Sequence, residues 1–505
     1  MLVGAVLAVD GILHKFIMKF VNFFESQLKY CIIKSMKNCF KLIVMCTFLL
    51  AFVVPAFANE LTDDLLDIAK NYYTEGNKAK TLEYVNQILE IDKDNLDAIE
   101  LKVMLNPPKL SKPFPDLYKP LVFDVPYVKT SVQSVDNAYE QGMSAYKNKD
   151  YVRAESLFQQ AINNGGQDNF RLYNTLGLVY WAQRKFEDAK KAFLKSNDIN
   201  NLFTLPLDNL SQIYKQTGLL KESKQTLEEA LRLNPRDFCA YLLLGDYYRY
   251  INDNENSLKN YRQVVSLNPK YNTAYLKIAN VRTESLDFAG SNATLNYYLK
   301  LNPSDDYAHL LMAKNYQYMN EFNEAKKAIY KAILSTNSYE YRAELGKILY
   351  YSGDMQNALD MFLQSVNKNS SAEVYNYIGM CYYNLHQFNK AITYLNKALS
   401  MPDYRIIYHY NLAKVYEALK DDISYERCMN SIRDYALESF QDYIDKASVL
   451  FDSDSKNAAI NVLNEGIVRY PLIKELYLEK LKIYDLTDDT QGVEAVKNDI
   501  ERVFK

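Results

Sequence analysis

Glycine and proline are scarce, with 15 and 13 residues in a chain of 505. That scarcity excludes a collagenous, linker-like or disordered chain, and hydrophobic residues at 48% point instead to packed helices. No run of like charge occurs and the net charge is −3, which argues against a nucleic-acid partner. Only four histidines and six cysteines are present. Of the cysteines, Cys239, Cys381 and Cys428 lie beyond residue 58. An odd number cannot close a disulfide framework, and their spacing matches no metal motif. No phosphate-cradling glycine loop is found, and His309, His386 and His409 form no nucleophile–base pattern. No catalytic residue, metal ligand or cofactor is therefore expected, and the chain is read as no enzyme.

Long apolar runs are also missing, with one short exception. From Met36 the chain reads MKNCFKLIVMCTFLLAFVVPAFANE, where Lys37 and Lys41 precede the apolar run Leu42–Val54. Pro55 breaks it, and Ala56-Phe57-Ala58 offers small residues where a signal peptidase reads. The run is shorter than the roughly 20 residues of a membrane span. Cleavage after Ala58 and export to the periplasm or beyond are expected, with an uncleaved inner-membrane anchor as the alternative. Residues 1–35 lack this logic, so 1–58 is read as a misassigned upstream start, with translation beginning at Met36, plus a signal peptide.

What is present is a period. Leu-Asn-Pro recurs with its prolines at 235, 269 and 303, each 34 residues after the last. Small residues return in step at Gly142, Gly177, Ser211, Gly245, Ala279, Ala313, Gly346, Gly379, Ala413 and Ala447. Glycine inside a helix costs about 1 kcal/mol relative to alanine. Its repetition in register implies two helices crossing too closely for a side chain. Apolar residues keep three-and-four spacing on both sides of a polar break such as Gln183-Arg184-Lys185, so each unit reads as two amphipathic helices. Pro235, Pro269, Pro303 and Pro471 end second helices, while Pro206 and Pro402 are read as lying between helices.

The unit LYNTLGLVYWAQRKFEDAKKAFLKS resembles the tetratricopeptide repeat, whose 34-residue signature runs Leu-Gly, Tyr, Ala, Phe, Ala and a closing Pro. Val374–Pro402 matches nearly as well, and about eleven such units cover residues 134–505. Arg282 stands where Tyr is usual and Tyr425 where Ala is usual. The resemblance is to the exported bacterial type. It implies an all-α, right-handed superhelical solenoid whose first helices line a concave groove for other proteins or extended ligands.

Residues 59–105 read as an N-terminal cap, one repeat-like helix pair plus a helix. Residues 106–133 hold six prolines between Pro107 and Pro126 and must be largely extended. Two readings stay open: a semi-rigid linker, or a segment that Phe114, Tyr118 and Phe123 dock across the array.

On the groove face, Lys314, Lys347 and Lys414 hold equivalent positions, with Tyr318, Tyr350, Tyr351 and Tyr383 beside them. These seven residues are the candidate ligand-binding set, suited to an extended ligand with acidic groups, and the lysines are expected to be exposed. Asp208, Asp246 and Glu284 form an earlier acidic stretch. No three consecutive units supply the carboxylate clamp of chaperone-tail adaptors. The expected function is a non-catalytic protein–protein scaffold of the bacterial envelope. The alternative is a groove that guides a polysaccharide during export or envelope biogenesis. Membrane association is expected only through an uncleaved signal.

Overall fold

The computed structural model describes residues 61–92, 95–105, 121–123, 127–367, 370–471 and 473–504. The expected signal segment, Phe114 and Tyr118 lie outside them. The chain divides into two compact units, one ending at Asn106 and one beginning at Pro107.

In the first, helices span 61–74, Lys78–Ile91 and Leu96–Leu105. Gly76 turns the chain with φ of +73°, and Asn77 caps the next helix by accepting from the Lys80 amide. Leu66, Ala69, Val85, Ile88, Ala98 and Leu101 are the residues these helices bury.

The second unit is a row of eleven helix pairs. Units 1 to 4 are Gln133–Lys147 with Tyr151–Ala161, Phe170–Ala182 with Phe186–Ile199, Leu205–Gln216 with Leu220–Leu233, and Phe238–Tyr250 with Asn254–Leu267. Units 5 to 8 are Asn272–Glu284 with Phe288–Leu301, Asp306–Tyr318 with Phe322–Ser335, Tyr339–Tyr351 with Met355–Ser365, and Ala372–Asn384 with Phe388–Leu399. Units 9 to 11 are Ile407–Leu419 with Asp422–Arg433, Phe440–Asp452 with Lys456–Arg469, and Lys474–Leu486 with Thr490–Phe504. No β-strand occurs among the described residues, and each pair packs on the next, giving an all-α solenoid.

Three local devices recur along the row. The small residue of the first helix faces a large side chain of the second: a Cβ on Gly177 would lie 2.6–2.9 Å from Phe193, and one on Gly346 2.8–3.0 Å from Phe362. Between the helices stands one residue in the left-handed region, at Lys149, Arg184, Gly218, Asn252, Leu286, Asn320, Gly353, His386, Lys420, Asp454 and Asp488. Only two of these are glycine, so the packing of the pair imposes the turn on side chains that disfavour it. Second helices then end at Leu233, Leu267 and Leu301, with the following Asn out of helical geometry and the Pro preventing continuation. One reading needs correction: Pro206 sits in the first turn of the helix Leu205–Gln216, where its missing N–H has no helical partner to lose. Arg282, in place of the usual Tyr, ties its helix pair together by donating to the Gly290 carbonyl at 2.6 Å.

Candidate ligand groove

The first helices of units 2 and 3 carry amide side chains on the face that holds a short extended segment of the chain itself. Gln212 donates to the Leu121 carbonyl at 2.8 Å and accepts from the Leu121 amide at 2.6 Å. Asn209 treats Phe123 the same way, at 3.0 Å and 3.3 Å, and Asn174 donates to the Phe123 carbonyl at 3.4 Å. In an extended chain the N–H and C=O of residue i point to one side, as do those of residue i+2. Two carboxamides therefore imitate the edge of a neighbouring strand. Val122, the residue between, is 56% exposed.

The side chains of the segment fill apolar ground. Phe123 packs on the cluster of Leu178, Leu207 and Leu210, and with Leu121 also on the cluster of Leu242, Tyr261 and Ile278. Further along, Tyr127 stacks on Tyr139 with ring centroids 3.7 Å apart and donates to Asp136 at 2.7 Å. The Thr130 amide also donates to Asp136, at 2.9 Å. These bonds, the backbone one first, hold Asp136 below its usual carboxylate value. Leu121 is hydrogen-bonded to unit 3, Phe123 to units 2 and 3, and Tyr127 to unit 1, so the segment runs against the order of the units. Of the two readings of the proline-rich stretch, the described part follows the docked one at Phe123.

The candidate lysines are not open cations. Lys347 lies 2.8 Å from Glu373 and 3.4 Å from Glu344, with a side chain 18% exposed. Burial works to lower its pKa, but the two glutamates outweigh that and hold it above the ordinary lysine value. Lys314 lies 3.7 Å from Glu344, and Lys414 lies 3.0 Å from Asp452 over the Tyr410 ring. The expectation of exposed lysines therefore needs revision, because acids of the next unit partner each of them. The tyrosines fall into separate groups. Tyr350 and Tyr351 make edge contacts with Tyr377, and the Tyr351 and Tyr377 hydroxyls are 2.9 Å apart. Tyr318 stacks on Phe288 and stays 67% exposed, while Tyr383 leans on Phe388.

Of the acidic stretch, Asp208 and Asp246 are buried and Glu284 is exposed. Asp246 is buried and holds Lys277 at 2.7 Å and the Tyr261 hydroxyl at 2.6 Å. Glu284 pairs with Arg249 at 2.5 Å. Asp208 is fully buried, and neither of its oxygens receives a hydrogen bond. Ligand atoms of Asp208, Asp237 and Cys239 all lie within 4.8 Å of one another, close enough to hold an ion. Desolvation, then the charge of Asp237, push the Asp208 carboxyl well above its usual range. Burial likewise pushes the Cys239 thiol up. Asp237 already accepts from the Thr204 hydroxyl and the Cys239 and Ala240 amides, so it caps its helix with Asp208 buried beside it.

Asn174 and Asn209 escaped notice in the sequence. Their signal was there: carboxamides within otherwise apolar first helices, three residues before Gly177 and two before Ser211.

Comparison with known proteins agrees with this architecture. Three tetratricopeptide-repeat family models match, at residues 139–199, at 207–237 with 240–271, and at 372–401. A TPR repeat-containing protein of Methanocaldococcus jannaschii is 24% identical over 277 residues, 54% of this chain and 45% of that protein. The protein O-mannosyl-transferase Tmtc3 of Drosophila melanogaster is 24% identical over 155 residues, 30% of this chain and 17% of that protein. The chain thus spans less than half the length of these relatives. A solved tetratricopeptide repeat protein from Parabacteroides merdae aligns with 49% of this chain and 99% of its own, at 19% identity and a TM-score of 0.36. With the 34-residue period, the glycine crossings and the repeat matches in hand, this chain is a tetratricopeptide-repeat protein.

Proposed function

We propose that the chain is an exported, non-catalytic scaffold of the bacterial envelope whose groove holds extended segments of partner proteins. Tetratricopeptide repeats are protein-interaction modules. One observation supports the groove mode: first-helix amides of Asn174, Asn209 and Gln212 grip the backbone of Leu121 and Phe123 at both N–H and C=O. Main-chain bonds supply affinity without sequence preference, and the flanking apolar ground selects side chains. Among the described residues no helix is long and apolar enough to cross a membrane. Export rests on the Leu42–Val54 run and Ala56-Phe57-Ala58. N-terminal sequencing of the cell-derived protein should begin at Asn59.

The groove mode is tested with photo-crosslinking residues placed in living cells at Lys314, Lys347, Tyr351 and Lys414, and at exposed second-helix positions such as Val152 and Ile423. Partner proteins should be trapped from the first set alone. Trapping only from the second set would overturn the reading. A second reading, a polysaccharide in the groove, is favoured by the exposed faces of Tyr318 and Tyr351, which suit sugar rings. Glycan without protein on the first set would support it.

A further inference from the structure

The asparagine pair that holds Phe123 occurs twice. Asn174 and Asn209 stand 35 residues apart in units 2 and 3, and Asn209 Nδ2 donates to Asn174 Oδ1 at 3.2 Å. Asn376 and Asn411 stand 35 apart in units 8 and 9, and Asn411 Nδ2 donates to Asn376 Oδ1 at 2.8 Å. Registers match as well: Asn376 lies three residues before Gly379, and Asn411 two before Ala413. No other junction between neighbouring units carries Asn at both positions.

The shared bond uses one N–H of the second Asn and leaves its other N–H, its Oδ1 and the Nδ2 of the first Asn for a peptide group. In the first pair Asn209 Nδ2 and Asn174 Nδ2 both donate to the Phe123 carbonyl, at 3.0 Å and 3.4 Å, and Asn209 Oδ1 accepts from the Phe123 amide. The same atoms of the second pair are Asn411 Nδ2, Asn376 Nδ2 and Asn411 Oδ1. Asn209 is fully buried beneath the segment, whereas Asn411 is only half-buried and open to solvent. The flanking ground corresponds too. Leu178 and Leu210, which carry Phe123, have Met380 and Leu412 as counterparts in register, both buried. Gln212 has Lys414 as its counterpart, a donor without an acceptor. The nearby cations Lys347 and Lys414 are already matched by Glu373 and Asp452, so the site carries no surplus charge to select an acidic ligand.

We infer that Asn376 and Asn411 form a second peptide-reading site. It takes an extended segment of a partner protein, uncharged and apolar at the held residue, gripped by its backbone as Phe123 is. The inference rests on the groove reading above.

The probe is a labelled peptide of sequence Leu-Val-Phe-Asp-Val-Pro-Tyr, that of residues 121–127, titrated into the full chain. Asn411→Ala should weaken binding about tenfold or more, the loss expected for one or two hydrogen bonds to a peptide group. Asn376→Asp keeps the shape and the acceptor for Asn411 but removes one of the two donors, so it should weaken binding by less than Asn411→Ala does. Val152→Ala, on an exposed second-helix face, should leave the affinity within about twofold. Binding that survives Asn411→Ala, or a parent that binds no peptide at millimolar concentration, overturns the second site. Hydrogen exchange at the Leu121 and Phe123 amides in the same samples separates the two ideas. Slow exchange there with no peptide bound removes only the second site. Fast exchange there removes the groove reading with it.

Discussion

Replacing Gly245 by Ala tests the helix crossing in its sharpest form, because two effects of opposite sign compete. In an exposed helix the change would stabilise by about 1 kcal/mol. Here the new methyl would lie within 2.9 Å of three atoms of the Tyr261 ring, where carbon atoms ordinarily keep about 3.5–4.0 Å. The ring cannot simply swing aside. It is fully buried, and its hydroxyl is fixed to Asp246, which also holds the buried Lys277. Overpacking of this kind costs about 1–3 kcal/mol, and weakening a hydrogen bond to a charged group costs about 1.5–3 kcal/mol. After the helix-propensity gain, a net loss of about 2–4 kcal/mol is expected. Urea denaturation should report it, with hydrogen exchange showing the loss centred on units 4 and 5, since arrays unfold in pieces. In a Tyr261→Leu background the same change should cost less than about 1 kcal/mol, because the obstructing ring is gone. A Gly245→Ala protein as stable as the parent, or an equal loss in the Tyr261→Leu background, would refute the crossing argument.

Asp208, whose carboxyl is raised in the folded state, binds its proton more tightly there than in the unfolded chain. Its contribution to stability is fullest below the ordinary carboxylate pKa and declines as pH rises toward the folded value. Asp208→Asn, a neutral isostere, should therefore raise the melting temperature at pH 8 and change it little at pH 4; the reverse pattern would show the acid is ionised. Gln212→Ala should cost about 1–2 kcal/mol and accelerate exchange of the Leu121 amide, which loses its acceptor. Changing Lys314, Lys347 and Lys414 together to Glu should lower stability as well as any binding, because each new carboxylate would face Glu344, Glu373 or Asp452. Melting curves that coincide with the parent's would return the lysines to the status of free groove cations.

The order of the helices was legible without coordinates because each unit is a local object. Gly245 and Tyr261 lie 16 residues apart, and that interval recurs at Gly142 with Phe158, Gly177 with Phe193, and Gly346 with Phe362. A contact made within one unit repeats whenever the unit repeats, so it leaves a period to read. Contacts between units, and between the array and the stretch before it, leave none. Lys347 meets Glu373 across 26 residues, Lys314 meets Glu344 across 30, and Lys414 meets Asp452 across 38, so no spacing announced them. The grip of Gln212 and Asn209 on Leu121 and Phe123 spans 91 and 86 residues and exists only once the first helices stand side by side. Periodicity encodes how one helix pair folds; which side chains are neutralised, and which are left to hold an extended chain, is decided by how the pairs stack.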